Sequence, residues 1–475
     1  MKVESSSFLV SKLDLLVKLI DRLKEKYQYC SVLAADCKAK SYSVSARGIS
    51  IEEVPMFSQR GFVVRVADSI GYAEYSFNER EEGSIEDVIA RIDSCIIPLT
   101  EAIPDGIRSM ERKVTEDEPL RFVKSTEYLV HPDELGDDGI IRLLSDIRTE
   151  AMSGGKLIEC IASASTIENH KMFVSDVKDL EQNILFTSGA MVTVAAKGQE
   201  MKDYYKSFSG LGGVEALDKM KDAVSVCVNT VLELLDSEPI APGEYECVCD
   251  PDVTGMIVHE AFGHGVEMDM FVKDRAIAKY HVGDRVASDL VTMHDASCDA
   301  LEAGTYFFDD EGTPAHDTVI IEKGILKRGI SDRLSAEALG TEPTGNGRRQ
   351  DYTRKAYTRM TNTYFCPGSD KVEDMIASVK DGFLLENPSS GMEDPKNWGI
   401  QCMVNIAREI KDGKLTGKIY SPIVLTGFVP DLLKSITMMS GETFLAGGGF
   451  CGKGYKEWVK VSDGGPYIKA KIRLG

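Results

Sequence analysis

The stretch MIVHEAFGHGVEMD, residues 256–269, restricts this chain more than any other. His259-Glu260 is followed by three residues before His264, one more than in the familiar helical H-E-x-x-H. On a regular helix, positions i and i+4 lie about 40° apart and can share a metal, whereas i and i+5 lie about 140° apart and cannot. With 7 histidines and 76 acidic residues in 475, the pattern H-[DE]-x-x-x-H arises about 0.02 times by chance. The setting favours a helix. Asp250-Pro251-Asp252 supplies an N-cap acid followed by proline at the first helical position, and Val253, Met256 and Ile257 supply an apolar face. A π-type turn, bonded from i to i+5, absorbs one surplus residue, and Gly263 tolerates the distortion. The expectation is a local π-bulge across Ala261, Phe262 and Gly263 that brings His264 back beneath His259.

Two histidines do not complete a site. A catalytic zinc takes three protein ligands and keeps one position open. On chemistry alone the third ligand is open among Glu267, Asp269, His281, His294, His316 and a distant cysteine. Glu260, beside the first histidine, is placed to take a proton from an attacking water.

A chain of 475 residues exceeds one ordinary core, so two or more domains are expected. The clearest boundary is E-P-I-A-P-G-E, 238–244, where two prolines and a glycine separate a helix from a strand. We read residues 1–238 as an N-terminal domain of mixed strands and helices and 239–475 as a mostly β C-terminal domain carrying the motif helix: an α+β class. In the first part, Leu13, Leu16, Val17, Ile20 and Leu23 recur at helical spacing, with Ser11 near the start. Strands are expected at 42–45, 62–67 and 72–77, the last two joined by a D-S-I-G turn, with a helix opening at Ser84. Strands at 157–166 and 190–196 and a long helix near 214–235 repeat that order, which suggests an internal duplication. In the second part, TVIIEKGILKRG is a hairpin candidate.

The net charge of -21 argues against a nucleic-acid backbone as partner, because phosphate contacts need clustered Lys and Arg. No apolar run approaches the roughly 20 residues of a membrane span. The N-terminus lacks the basic-then-apolar order of a signal peptide, so a cytoplasmic location is expected. Eleven scattered cysteines argue against a disulfide framework. Cys247 and Cys249 read as two inward residues of a strand rather than a metal pair.

Five blocks are spread over the C-terminal half: HEAFGHGVEMD (259–269), FDDEGTPAHDTVIIEKGILKRGISDRLSAEALG (308–340), TGNGRR (344–349), RMTNTYFCPG (359–368) and GGGFCGKG (447–454). In this order they resemble the TldD/PmbA family of metallopeptidases, in its TldD-like form that retains the metal motif. The N-terminal half resembles the family only through R-G-F-V-V-R-V and G-Y-A-E-Y. The resemblance implies Zn2+ held by His259, His264 and Cys451, with Glu260 as general base. It places Glu267 and Asp269 behind the ligands, orienting them. It further implies unfolded peptides as substrates, held in extended form by strand addition. The implied assembly is a dimer enclosing the site, either a homodimer or a heterodimer with a PmbA-like subunit. The rival reading is a non-catalytic peptide-binding or assembly subunit with a structural metal, all four positions of which would be protein ligands.

GGGFCGK also fits the first seven positions of a P-loop, but Gly454 stands where the hydroxyl is needed and a strand-like segment follows. Arg359 and Asn362 are candidates for oxyanion donors, with structural hydrogen bonding the weightier role for both.

Overall fold

The computed structural model describes residues 1–68, 71–78, 84–101, 117–298, 302–454 and 456–475. Its N-terminal part is built on one eight-stranded sheet. The strands are β1 (Tyr29–Ser45), β2 (Gly48–Glu53), β3 (Gln59–Ala67), β4 (Tyr72–Phe77), β5 (Leu120–Ser125), β6 (Glu159–Ser175), β7 (Lys178–Lys197) and β8 (Glu200–Leu211). The order is β4-β3-β1-β6-β7-β5, with β2 alongside β1 and β8 alongside β7. The expected strands are all present, and β1, β6 and β7 run well beyond the segments read from alternation. The D-S-I-G turn closes through the Asp68 N–H to the Gly71 carbonyl, while Ser69 and Ile70 lie outside the described residues.

Alternation along the strands sorts the two faces. Cys30, Val32 and Ala34 of β1, with Met172 and Val174 of β6, pack against α1 (Ser7–Lys24) and α2 (Ile85–Glu101). Tyr42 and Val44 of β1, with Cys160, Ala162 and Ala164 of β6, pack under α3 (Pro132–Met152) and α4 (Val224–Leu234). All these strand residues have even numbers, so both helix pairs cover one face. The expected repetition of strands and helices is therefore a single continuous sheet with two helix pairs over two apolar clusters. The helix foreseen from 214 to 235 is broken into a 3-10 turn, a short helix and α4. Ser6, not Ser11, caps α1, accepting the Leu9 N–H at 3.2 Å.

The odd-numbered face meets the C-terminal half. Ala39 and Ile167 cluster with Ala303 and Tyr306, and Leu33, Val63 and Phe173 cluster with Phe308. This explains the unbroken burial from Tyr29 to Cys37: both faces of β1 are covered.

Beyond the Pro239-to-Gly243 segment, β9 (Gly243–Cys249) lies between the strands Asp381–Asp394 and Ile468–Leu474. The pairings continue through Ile423–Phe428 and Gly399–Lys411 and return to Asp381–Asp394, which closes a ring of five strands. A six-stranded sheet stands beside it and includes the anticipated hairpin, Asp317–Glu322 with Ile325–Leu326. Its turn places Lys323 at φ 46 and Gly324 at φ 80, the left-handed pair that a two-residue hairpin needs. The motif helix α5 (Pro251–Val258) packs between these sheets, against Ser462–Gly465 on one side and Asp381–Asp394 on the other.

Candidate metal centre

The start of α5 follows from its first residues. The Asp250 carboxylate accepts the Val253 N–H at 2.8 Å, and Pro251 takes the first helical position. Such a cap is worth about 1 kcal/mol. At His259 the winding changes. Residues His259–Gly263 form a π turn, closed by the His264 N–H on the His259 carbonyl, and a 3-10 turn, His264–Val266, follows. The expected bulge is thus present, although it begins two residues earlier, at His259. Gly263 is needed for close approach: a Cβ there would stand 2.1 Å from Sδ of Met360.

The wide turn sets the two imidazoles nearly perpendicular, at 88°, with centroids 5.0 Å apart. Cys451 arrives from the opposite side, on the hairpin formed by Phe450–Lys453 and Lys456–Lys460. Its Sγ lies 3.2 Å from Nε2 of His259 and 3.2 Å from Nε2 of His264. The three donor atoms lie within 4.8 Å of one another. A tetrahedral zinc with ordinary bond lengths would hold sulfur and nitrogen about 3.5 Å apart. The observed separations are a few tenths shorter, so the donor set suits such an ion in both chemistry and spacing. Burial pushes the Cys451 thiol up, but the two histidines outweigh it and hold the group well below its usual value. Burial works against the charged form of His259 too, yet Cys451 brings it up to about 9.

Of the two acids expected behind the donors, Glu267 approaches His264, and Asp269, among the described residues, reaches only lysines. Glu267 and Asp269 do not simply end the helix: Lys453 joins them, its Nζ 2.9 Å from Glu267 and 2.7 Å from Asp269. The Glu267 carboxylate is 3.5 Å from Nδ1 of His264. Arg359 is fully buried; its guanidinium donates to the Cys451 carbonyl at 2.8 Å and to the Glu457 carbonyl, and its Nε is 3.4 Å from Glu267. His264 is therefore tied to the Cys451 hairpin through Glu267, Lys453 and Arg359. Burial raises the Glu267 carboxyl, but Lys453 and His264 hold it far below the usual carboxylate range. Neither oxyanion candidate faces open space. Arg359 is committed to this brace, and Asn362, also fully buried, bonds the Ala296 carbonyl and the Gly304 N–H.

His259, Glu260, His264 and Cys451 line a groove of about 840 Å3. Its far wall is the strand segment Ser389–Glu393. Gly391 lets the strand pass close to Glu260: a Cβ there would stand 2.2 Å from the Glu260 Cγ. Three residues near the donors carry little signal in the sequence. Gly391 and Glu393 belong to no motif, and Asp463 comes within 3.7 Å of the His259 Nδ1 only through the fold. Burial pushes the Glu393 carboxyl up to about 8. The remaining histidines stand elsewhere. His281 packs on Trp398, His294 bonds Asp317 at 2.6 Å, and His316 lies near the Gly345 turn. The glycine-rich segment leads into a strand and not a helix, which removes the P-loop reading. Cys247 and Cys249 are buried on β9 and are not among the three donors.

Two histidines and a cysteine converging beside a carboxylate in an open groove form a donor set suited to a metal ion. Comparison with known proteins agrees. Residues 242–473 match the family model described as the PmbA/TldA metallopeptidase C-terminal domain. Over residues 242–473 the chain is thus similar to the PmbA/TldD metallopeptidases. It is 27% identical to a metalloprotease of Methanocaldococcus jannaschii over 90% of this chain and 93% of that protein. A metalloprotease of Methanothermobacter thermautotrophicus is 32% identical over 58% of this chain, which spans 61% of that relative's length. A zinc metalloprotease TldD homolog of Saccharolobus solfataricus is 33% identical over 51% of this chain and 54% of its own. Among solved structures, TldE from Thermococcus kodakarensis superimposes with a TM-score of 0.73 at 18% identity, covering 96% of this chain and 99% of that one. That likeness speaks for the fold. Among the described residues no helix is long and apolar enough to cross a membrane.

Proposed function

We propose that this chain is a zinc-dependent peptidase that hydrolyses unfolded peptides or peptide precursors. The observation that carries the reading is the convergence of His259, His264 and Cys451 on one point beside Glu260, in the floor of the groove. Three donors, not four, among the described residues favour a catalytic over a structural metal. A zinc ion held there supplies a Lewis acid that acidifies water and polarises a carbonyl. Glu260 accepts the proton of the attacking water and returns it to the leaving amine. Glu267 orients His264, and Arg359 holds the hairpin that presents Cys451.

The groove wall also suits an extended peptide. Among the described residues, β9 covers only Gly382–Leu385 of the long strand, while Pro388–Asp394 pairs on one side alone, with Gly399–Val404. That leaves a strand edge along the groove, to which a peptide can add through main-chain bonds with loose demands on its sequence. A dimer, with a second copy or with a TldE-like partner, would close the groove into a chamber that excludes folded proteins. A cytoplasmic location fits the same reading.

The test is direct. Glu260→Gln should keep its zinc and lose hydrolysis of casein by 100-fold or more, since a positioned base contributes about 10²–10⁴. Cys451→Ser should lose zinc. A Glu260→Gln variant that cleaves at the wild-type rate overturns the mechanism, and one Cys451→Ser sample with full zinc removes the ligand.

A further inference from the structure

The hairpin that carries Cys451 has a second face. Phe450 pairs with Lys460 and Cys451 with Val459, so alternation turns Phe450 and Lys460 away from the metal donors. Behind them lies a cavity of about 80 Å3 between the hairpin and the N-terminal sheet, with room for several waters or a small anion. Phe57, Phe186, Phe450 and Tyr306 supply its apolar lining. Phe57 and Phe450 stack there with centroids 4.5 Å apart.

Lys460 is 7% exposed, and its Nζ has no hydrogen-bond partner among the described residues. The ammonium lies 4.4 Å from the Phe450 ring and 5.5 Å from the Phe186 ring. Such contacts satisfy an ammonium only in part, because they offer no acceptor lone pair. The other charges lining the cavity are employed. Lys171 pairs with Asp310, and Arg349 with Glu74. Asp309 accepts the backbone N–H groups of Glu311, Thr313 and Gly347. Arg348 donates to the carbonyls of Met360 and Lys460 and pairs with no carboxylate among the described residues. Glu302 faces Lys460 from beyond Ala303 but forms no ion pair with it among those residues, and its own carboxylate accepts the Ala303 N–H. Burial brings the Lys460 amine down to about 8, the direction expected of a cation short of counter-charge.

We infer that this cavity is a binding site for a small organic carboxylate, its oxygens on Lys460 and its apolar body against the aromatic lining. Of the cations in the lining, Lys171 and Arg349 are paired and Arg348 donates to carbonyls, so the Lys460 ammonium among rings favours a carboxylate with an apolar body over phosphate, which needs several free donors at once. The site stands on its own residues and does not depend on the peptidase reading.

Calorimetric titration of the full chain with benzoate, and separately with inorganic phosphate, tests it. Benzoate should bind one-to-one, and phosphate should neither bind nor compete. Lys460→Met should weaken benzoate at least tenfold with an unchanged circular-dichroism spectrum, and Lys460→Arg should retain it. Phe57→Leu, which leaves the lysine in place, should also weaken benzoate if Lys460→Met fails to fold. Absence of benzoate binding, phosphate binding in its place, or undiminished binding by Lys460→Met with a raised Tm would each overturn the proposal. The last result would mark Lys460 as packing alone.

Discussion

Single atoms decide how this site is arranged. A methyl group at position 391 has no space, because Glu260 occupies it. Gly391→Ala should therefore displace Glu260 without touching the three donors. The expected result is a kcat reduced by tenfold or more with full zinc content, read from steady-state peptide hydrolysis and metal analysis on the same sample. Loss of zinc together with activity would show that position 391 supports the ligands rather than the base. Arg359 is the other decisive residue. It is the largest fully buried side chain among the described residues, and removing one partner of a buried ion pair costs about 3–5 kcal/mol. Its sequence neighbours do not reveal this role, since its partners Glu267, Cys451 and Glu457 are 92 or more residues away.

At the scale of elements, the π turn and the hairpin are fitted to one another. Deleting Ala261 would restore the four-residue spacing that suits a regular helix. It should nevertheless abolish the centre. Phe262 would leave its place beside Trp398, and Glu267 would leave Lys453, both of which the wide turn positions. Chelator competition should show zinc affinity falling at least tenfold, and thermal unfolding should show a lower Tm. Unchanged affinity would mean that the bulge is incidental. The Phe450–Lys460 hairpin serves two cavities, one on each face, so a substitution in it must be read for both.

Across the whole molecule, the two halves are joined by charge as well as by apolar contact. The block FDDEG, one of those carrying the family resemblance, turns out to be mortar. Phe308 enters the apolar cluster under β1 and β3, Asp310 meets Lys171, and Glu311 meets Arg65 at 2.7 Å. Glu74 of β4 bridges Arg65 of its own sheet and Arg349 of the other half. Burial raises the Glu74 carboxyl, but the two guanidinium groups outweigh it and bring it down to about 2, from an ordinary 4.5. A carboxyl depressed on folding stabilises the native state above its unfolded pKa, and that contribution fades as pH falls toward the folded one. Glu74→Gln should therefore cost about 3 kcal/mol near neutrality and progressively less between about pH 4.5 and 2. Tm measured against pH for both proteins checks this. A constant difference across that window would show that the loss is one of packing.

The amino-acid sequence by itself determined the local features: the Asp250-Pro251 start of the motif helix, the surplus residue and hence the π turn, the alternating strands, the Lys323-Gly324 hairpin and the break near Pro239 to Pro242. These depend on caps, spacing and turn chemistry within a few residues, which a linear pattern records. The resemblance, resting on separated blocks, pointed to Cys451 from 187 residues beyond His264. Tertiary structure alone decided the rest. It merged two strand-and-helix runs into one sheet, because only pairing between distant strands settles which edges join. It made Glu267 and Asp269 a seat for Lys453, set Gly391 against Glu260, and left Lys460 without an acceptor among the described residues. Those outcomes depend on which side chains meet across the fold, and burial there gives a charge its partner or withholds it.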